Sequence, residues 1–124
     1  METFFLIGIG GFIGANARYF ISGWVAGMAG NAFPWGTVVV NFTGSCLLAI
    51  FIAYAGKHAT LDSRIRLLLA VGFCGAYTTF STYATESIAL IQAGDWIGGL
   101  GDIIGTNLIC IVGVLIGLAI GSQL

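Results

Sequence analysis

Apolar residues run through this chain in four long stretches, separated by short polar turns. Each stretch exceeds the roughly 20 residues that carry an α-helix across a bilayer. The first runs from about residue 4 to 26. Gly30-Asn31-Ala32-Phe33-Pro34 then makes a turn, and Pro34 suits the first position of a second helix over about 34–55. Gly56 is placed to stop it. Lys57 to Arg66 is the strongly polar segment, where Asp62 or Thr60 can cap a third helix over about 63–92. Ala93-Gly94-Asp95 closes that helix, and Asp95 caps a fourth over about 96–121. No stretch shows a polar face wide enough for a helix of a water-soluble bundle. The pattern predicts an all-α membrane protein, with residues 1–124 forming a single four-helix transmembrane domain.

Composition agrees with this and removes other classes. Only 7% of the 124 residues are charged and 58% are apolar, against about 25% charged in a soluble domain. Four Lys and Arg residues cannot build a phosphate-binding stripe, so nucleic acid is no partner. The 20 glycines lack a triplet period, which excludes collagen. Cys46, Cys74 and Cys110 lie far apart inside apolar runs and read as small packing groups rather than disulfide or metal ligands. Gly8-Ile9-Gly10-Gly11-Phe12-Ile13-Gly14 looks like a dinucleotide fingerprint but places its last glycine one residue late, with no preceding strand. With no nucleophile–base pair either, the chain is not expected to be an enzyme. Met1-Glu2-Thr3 lacks the positive region of a signal peptide, so the first apolar stretch is expected to stay in the protein.

Trp24, Trp35 and Trp96 fall near helix ends on one predicted side, as an interfacial aromatic belt requires. Lys57, Arg64 and Arg66 lie between helices two and three, at the opposite end. The bias favours both termini in the cytoplasm and is small enough for some molecules to insert the other way round. Gly10-xxx-Gly14, Gly23-xxx-Gly27, Gly101-xxx-Gly105 and Gly113-xxx-Gly117-xxx-Gly121 let helix backbones approach closely in lipid. Ser45-xxx-Ala49-xxx-Ala53 gives helix two a similar stripe. Intrachain packing uses some of these positions. Four short helices can hardly enclose a conduit alone, so at least a dimer is expected.

Polar groups at membrane depth are costly unless partnered or wetted. Here they are Asn16, Arg18, Asn41, Glu86, Asp102 and Asn107, with a hydroxyl cluster in helix three. That cluster places Thr78, Thr79, Ser81, Thr82 and Thr85 just after Gly75. Two readings stand. Either helix three breaks around Gly75–Thr79 and freed carbonyls hold a small cation, or the hydroxyls bond back one turn along an unbroken helix. Asn41 either offers amide donors to an anion or bonds across helices. Arg18 pairs with Glu86 or Asp102, snorkels, or draws anions into a vestibule. His58 reads as a solvated loop residue. No chain of Asp, Glu and His crosses the membrane, which weakens a proton-pump reading.

Taken together, Gly10-Gly11-xx-Gly14-Ala15-xx-Arg18-Tyr19, Gly36-Thr37-xxx-Asn41-xx-Gly44 and Gly72-Phe73-Cys74-Gly75-xx-Thr78-Thr79-Phe80-Ser81-Thr82, completed by Glu86, resemble the Fluc (CrcB) fluoride channel family. The resemblance covers the whole chain, and the third motif is highly specific. It implies an antiparallel dual-topology dimer in the inner (plasma) membrane, with two pores that passively export fluoride and relieve its toxicity. It also implies a central structural sodium ion held by the backbone carbonyls of Gly75 and Thr78. By the same resemblance Asn41, Phe80, Ser81, Thr82 and Tyr83 line the fluoride path and Arg18 stands in the vestibule. The partners it implies are fluoride, lipid and a second copy of the chain or a paired homologous subunit.

The chemistry suits those roles. Fluoride is small and strongly hydrated, so a pore must replace its water with amide, hydroxyl and ring-edge hydrogens. A path without fixed cationic ligands holds the ion weakly enough to release it. There are departures: the family pattern reads Thr-Thr-Phe-Ser-Thr-Phe-Ser, whereas this chain ends it with Tyr83 and Ala84. Val114 also stands where some relatives carry a hydroxyl. Either the Tyr83 hydroxyl replaces the missing one, or a second, different subunit completes the path. Two other functions compete with this one. A small multidrug-resistance-type transporter shares the four-helix antiparallel layout but needs a membrane-embedded Glu in helix one, where this chain has Arg18. A non-transport assembly subunit accounts for the packing glycines but not for the helix-three cluster.

Overall fold

The computed structural model describes residues 1–124. Helix α1 spans Glu2–Ala29 and α2 spans Trp35–Lys57. The third span begins with α3 (Ser63–Arg66), widens into a π-helical stretch (Leu67–Cys74) and returns to α-helix for the single turn α4 (Gly75–Tyr77). It resumes as α5 (Phe80–Gln92), and α6 spans Trp96–Gln123. There are no strands. The stretches Glu2–Ala29, Trp35–Lys57, Ser63–Gln92 and Trp96–Gln123 are each long and apolar enough to cross a membrane.

The ends follow from local chemistry. Asp62 accepts a hydrogen bond from the Arg64 amide at 2.9 Å, and Asp95 accepts one from the Gly98 amide at 2.8 Å. Both therefore cap as side-chain acceptors for amides that lack helical partners, while Thr60 takes no part. Two expected ends move. Pro34 is the cap before α2 rather than its first residue. Gly56 stays helical, because His58 ends α2 instead: its amide and its Nδ1 both bond the Tyr54 carbonyl, at 3.2 and 2.8 Å. His58 is thus not merely solvated; its ring stacks on Tyr54 with centroids 4.1 Å apart. The first helix also outruns its expected end and stops at Gly30, whose φ of 83° suits glycine.

The termini and the α2–α3 turn share one end. Arg64 Nε pairs with Glu2 Oε1 at 2.6 Å, and Lys57 donates to the Ser122 carbonyl. The turns at 30–34 and 93–95, with Trp24, Trp35 and Trp96 beside them, mark the other end.

Glycine lets backbones meet where a side chain would collide. A Cβ on Gly10 would strike the Leu68 carbonyl, and one on Gly14 would strike the Phe73 carbonyl, so α1 lies directly on the π-helical stretch. Gly113, Gly117 and Gly121 set α6 against Phe42, Cys46 and Ile50 of α2. Gly23, Gly27, Gly101 and Gly105 have no neighbouring atom within 4 Å. The glycine pairs therefore divide into those that close the fold and those left on its outside.

Candidate functional site: the extended pair in the third span

Between α4 and α5 the backbone leaves helical geometry. Thr78 has φ −83° and ψ 156°, and Thr79 has φ −150° and ψ 114°. Extended residues at membrane depth need partners for their amides and carbonyls. Asn41, on α2, supplies both for Thr79. Its Oδ1 accepts from the Thr79 amide at 2.7 Å, and its Nδ2 donates to the Thr79 carbonyl at 3.0 Å. Of the two sequence readings of Asn41, the cross-helix bond is thus present, and one Nδ2 hydrogen remains beyond it.

This arrangement diverts two amides. In a regular helix the Thr79 amide would bond the Gly75 carbonyl, and the Thr82 amide would bond that of Thr78. The first goes to Asn41, and the second goes to Thr79 Oγ1 at 3.3 Å. The Gly75 and Thr78 carbonyls therefore lose their regular partners. Thr79 caps α5 and also donates from Oγ1 to Thr82 Oγ1 at 3.0 Å. Gly44 of α2 makes room, since a Cβ there would overlap the Thr78 methyl group. Tyr77 is held from the same helix, its hydroxyl 2.8 Å from Thr43 Oγ1.

A cleft of about 240 Å³ opens beside this point, lined among others by Asn41, Thr78, Thr79, Phe80, Tyr83 and Asn107. No Lys, Arg or His lines it. Phe80 and Tyr83 meet edge-on with centroids 5.5 Å apart. Phe80 is 75% exposed in the single chain.

The predicted residues do not all gather here. Asn41, Thr78, Phe80 and Tyr83 share the cleft, while Ser81 is exposed outside it. Thr82 instead lines a larger cleft of about 710 Å³ near the 30–34 turn, together with Glu86, Thr37 and Trp35. Arg18 lines neither. It pairs with neither Glu86 nor Asp102: the ion pair in the chain is Arg64–Glu2. Asp102 is 1% exposed and is held by two hydroxyls, Ser87 and Thr106, each at 2.7 Å. Glu86 Oε2 is buried without a hydrogen-bond partner.

Sequence reasoning gave no role to Asn107, Ser87 or Thr106. The available signal was their polarity inside apolar spans, with Ser87 and Tyr83 one turn apart on one helix and Asp102 and Thr106 one turn apart on the next.

The profile described as CrcB-like protein, Camphor Resistance (CrcB), matches residues 5–118. A relative from Koribacter versatilis (strain Ellin345), named fluoride-specific ion channel FluC, is 45% identical over 115 residues, 93% of this chain and 91% of its own length. Relatives of the same name from Hahella chejuensis and Geobacter sulfurreducens are 40% and 35% identical. The first alignment covers 92% of this chain and 90% of the relative; the second covers 100% of both. With its four apolar spans the chain is a multi-pass membrane protein, in bacteria of the inner membrane. On motif order, spans and these matches, it belongs to the CrcB family.

Proposed function

We propose that this chain is a passive, fluoride-selective channel and not an enzyme, working as an antiparallel dual-topology dimer that exports fluoride. The observation that carries the proposal is the cleft at Thr78–Thr79: the remaining amide hydrogen of Asn41 and the ring edges of Phe80 and Tyr83 border it, and no fixed cation lines it. Such donors replace the water of a small, hard anion, and the absence of a cationic ligand lets it leave again. The relatives named for fluoride channels support the same reading. Asn41 has two roles in it. The side chain fixes the extended Thr79 and presents its remaining Nδ2 hydrogen to the ion. Phe80, Tyr83, Ser81 and Thr82 complete the path, and Arg18 serves the vestibule. The Ser81 and Thr82 hydroxyls suit this because neither donates to a protein acceptor.

A second copy of the chain supplies the rest of the path. The open glycines Gly23, Gly27, Gly101 and Gly105 give it close-packing surface. The third span acts as a broken helix in this reading. The Gly75 and Thr78 carbonyls, deprived of their regular amides, fit a sodium ion, whose positive charge offsets the cost of placing an anion in a low-dielectric site.

Growth tests the function. Expression in bacteria that lack their own fluoride exporter should restore growth in fluoride medium. Phe80→Ile should remove that rescue and slow fluoride flux about tenfold or more, since it deletes an aromatic edge and its packing on Tyr83. Unchanged flux in Phe80→Ile contradicts the role given to this ring.

A further inference from the structure

The Tyr83 hydroxyl lies on the cleft, yet its hydrogen bonds are complete. Tyr83 is 6% exposed. Its Oη donates to the Ile103 carbonyl at 3.0 Å and accepts from Asn107 Nδ2 at 2.6 Å. The second Nδ2 hydrogen of Asn107 goes to the same Ile103 carbonyl, at 2.6 Å. A phenol carries one proton and an amide nitrogen two. All three are committed within the protein, so what Tyr83 offers the cleft is its ring edge, set against Phe80.

We propose that Asn107 is a positioning residue that determines how Tyr83 meets the permeating ion, by locking its phenol onto α6 and leaving only ring-edge hydrogens on the path. This rests on the fluoride-channel reading above. The chemistry gives the lock a purpose. A phenol proton is a strong donor to a small, hard anion, and a path must bind its ion weakly enough to release it. Freed from Asn107, the phenol has one tether instead of two, and its proton can turn from Ile103 to the ion and retain it. Asn107 is suited to the lock because its Cα sits one turn beyond Ile103, so a single amide reaches both the carbonyl and the phenol.

The test is a cycle of fluoride-flux measurements in proteoliposomes on the full chain, Asn107→Ala, Tyr83→Phe and the double variant. Size-exclusion elution reports that each remains folded. Asn107→Ala is expected to slow fluoride flux about tenfold in the Tyr83 background, the effect of losing one good hydrogen bond. Relative to Tyr83→Phe alone, adding Asn107→Ala should change flux less than about twofold, because no phenol remains to be held. An equal slowing in both backgrounds, or no slowing in either, overturns the proposal. A loss confined to folding would appear in both backgrounds and in the elution profile. Absence of fluoride flux in the unaltered chain would instead overturn the channel reading on which the proposal rests.

Discussion

Replacing Asn41 with leucine is expected to cut fluoride flux at least about a hundredfold, because one side chain satisfies both backbone groups of Thr79. Leucine matches asparagine roughly in size and suits a membrane helix, so loss of packing is not the cause. It leaves the Thr79 amide and carbonyl without partners where no water replaces them. Each orphaned group costs about 1–3 kcal/mol, so the two together cost about 2–6 kcal/mol. The third span can escape that cost only by changing the Thr78–Thr79 backbone, which moves Phe80 and Tyr83 together. Asn41→Asp separates the two roles. It keeps an acceptor for the Thr79 amide but loses the donor to the carbonyl and adds a negative charge at the cleft, so flux is expected to fall as well. Flux measured against the unaltered chain checks both, and full flux in Asn41→Leu contradicts the account of the extended pair.

Replacing Gly10 with valine is expected to abolish the folded protein. Any Cβ at this position overlaps the Leu68 carbonyl and lies 2.9 Å from the Phe73 amide nitrogen and 3.0 Å from the Gly72 Cα. All three are backbone atoms and cannot rotate aside. Overpacking in an interior typically costs about 1–3 kcal/mol when side chains can adjust. Here α1 must instead separate from the π-helical stretch, which removes the largest support of the third span. Gly23→Ala is the control, because nothing lies within 4 Å of that position. Yield of folded protein in detergent should collapse for Gly10→Val and persist for Gly23→Ala, whose added methyl meets nothing within the chain and bears only on the packing of a second copy. Normal yield of Gly10→Val contradicts the close approach.

Much of this architecture was legible along the chain, and the reason is the solvent. Where lipid surrounds a helix, apolar length alone places the spans, and the four stretches stand where the hydropathy put them. Asp62 and Asp95 were readable because capping is local, a side chain reaching an amide two or three residues ahead. Gly56 misled because glycine after an apolar run resembles a stop, whereas the stop came from His58, whose ring found the Tyr54 carbonyl. The glycine pairs were visible as a class, but not which faced inward: Gly113 and Gly101 have the same local spacing and different surroundings.

The site was harder to read because its bonds are long in sequence. Asn41 and Thr79 stand 38 positions apart, and no local pattern says that one amide serves both backbone groups of the other residue. The Tyr83 hydroxyl likewise donates to the Ile103 carbonyl, 20 positions away on the next helix. For Arg18, pairing with Glu86 or Asp102 stood beside snorkelling and a vestibule role, and the pairing is absent. Hydroxyls took that place: Ser87 and Thr106 close around Asp102 from within hydrogen-bond reach.

The central claim, that this chain alone conducts fluoride selectively, is tested most directly by anion efflux from proteoliposomes carrying only this protein. The vesicles are loaded with equal fluoride and chloride, and a potassium ionophore releases the electrical constraint. The account predicts rapid fluoride efflux with chloride no faster than from protein-free vesicles. Equal chloride efflux, or no fluoride efflux from the inserted protein, would contradict it.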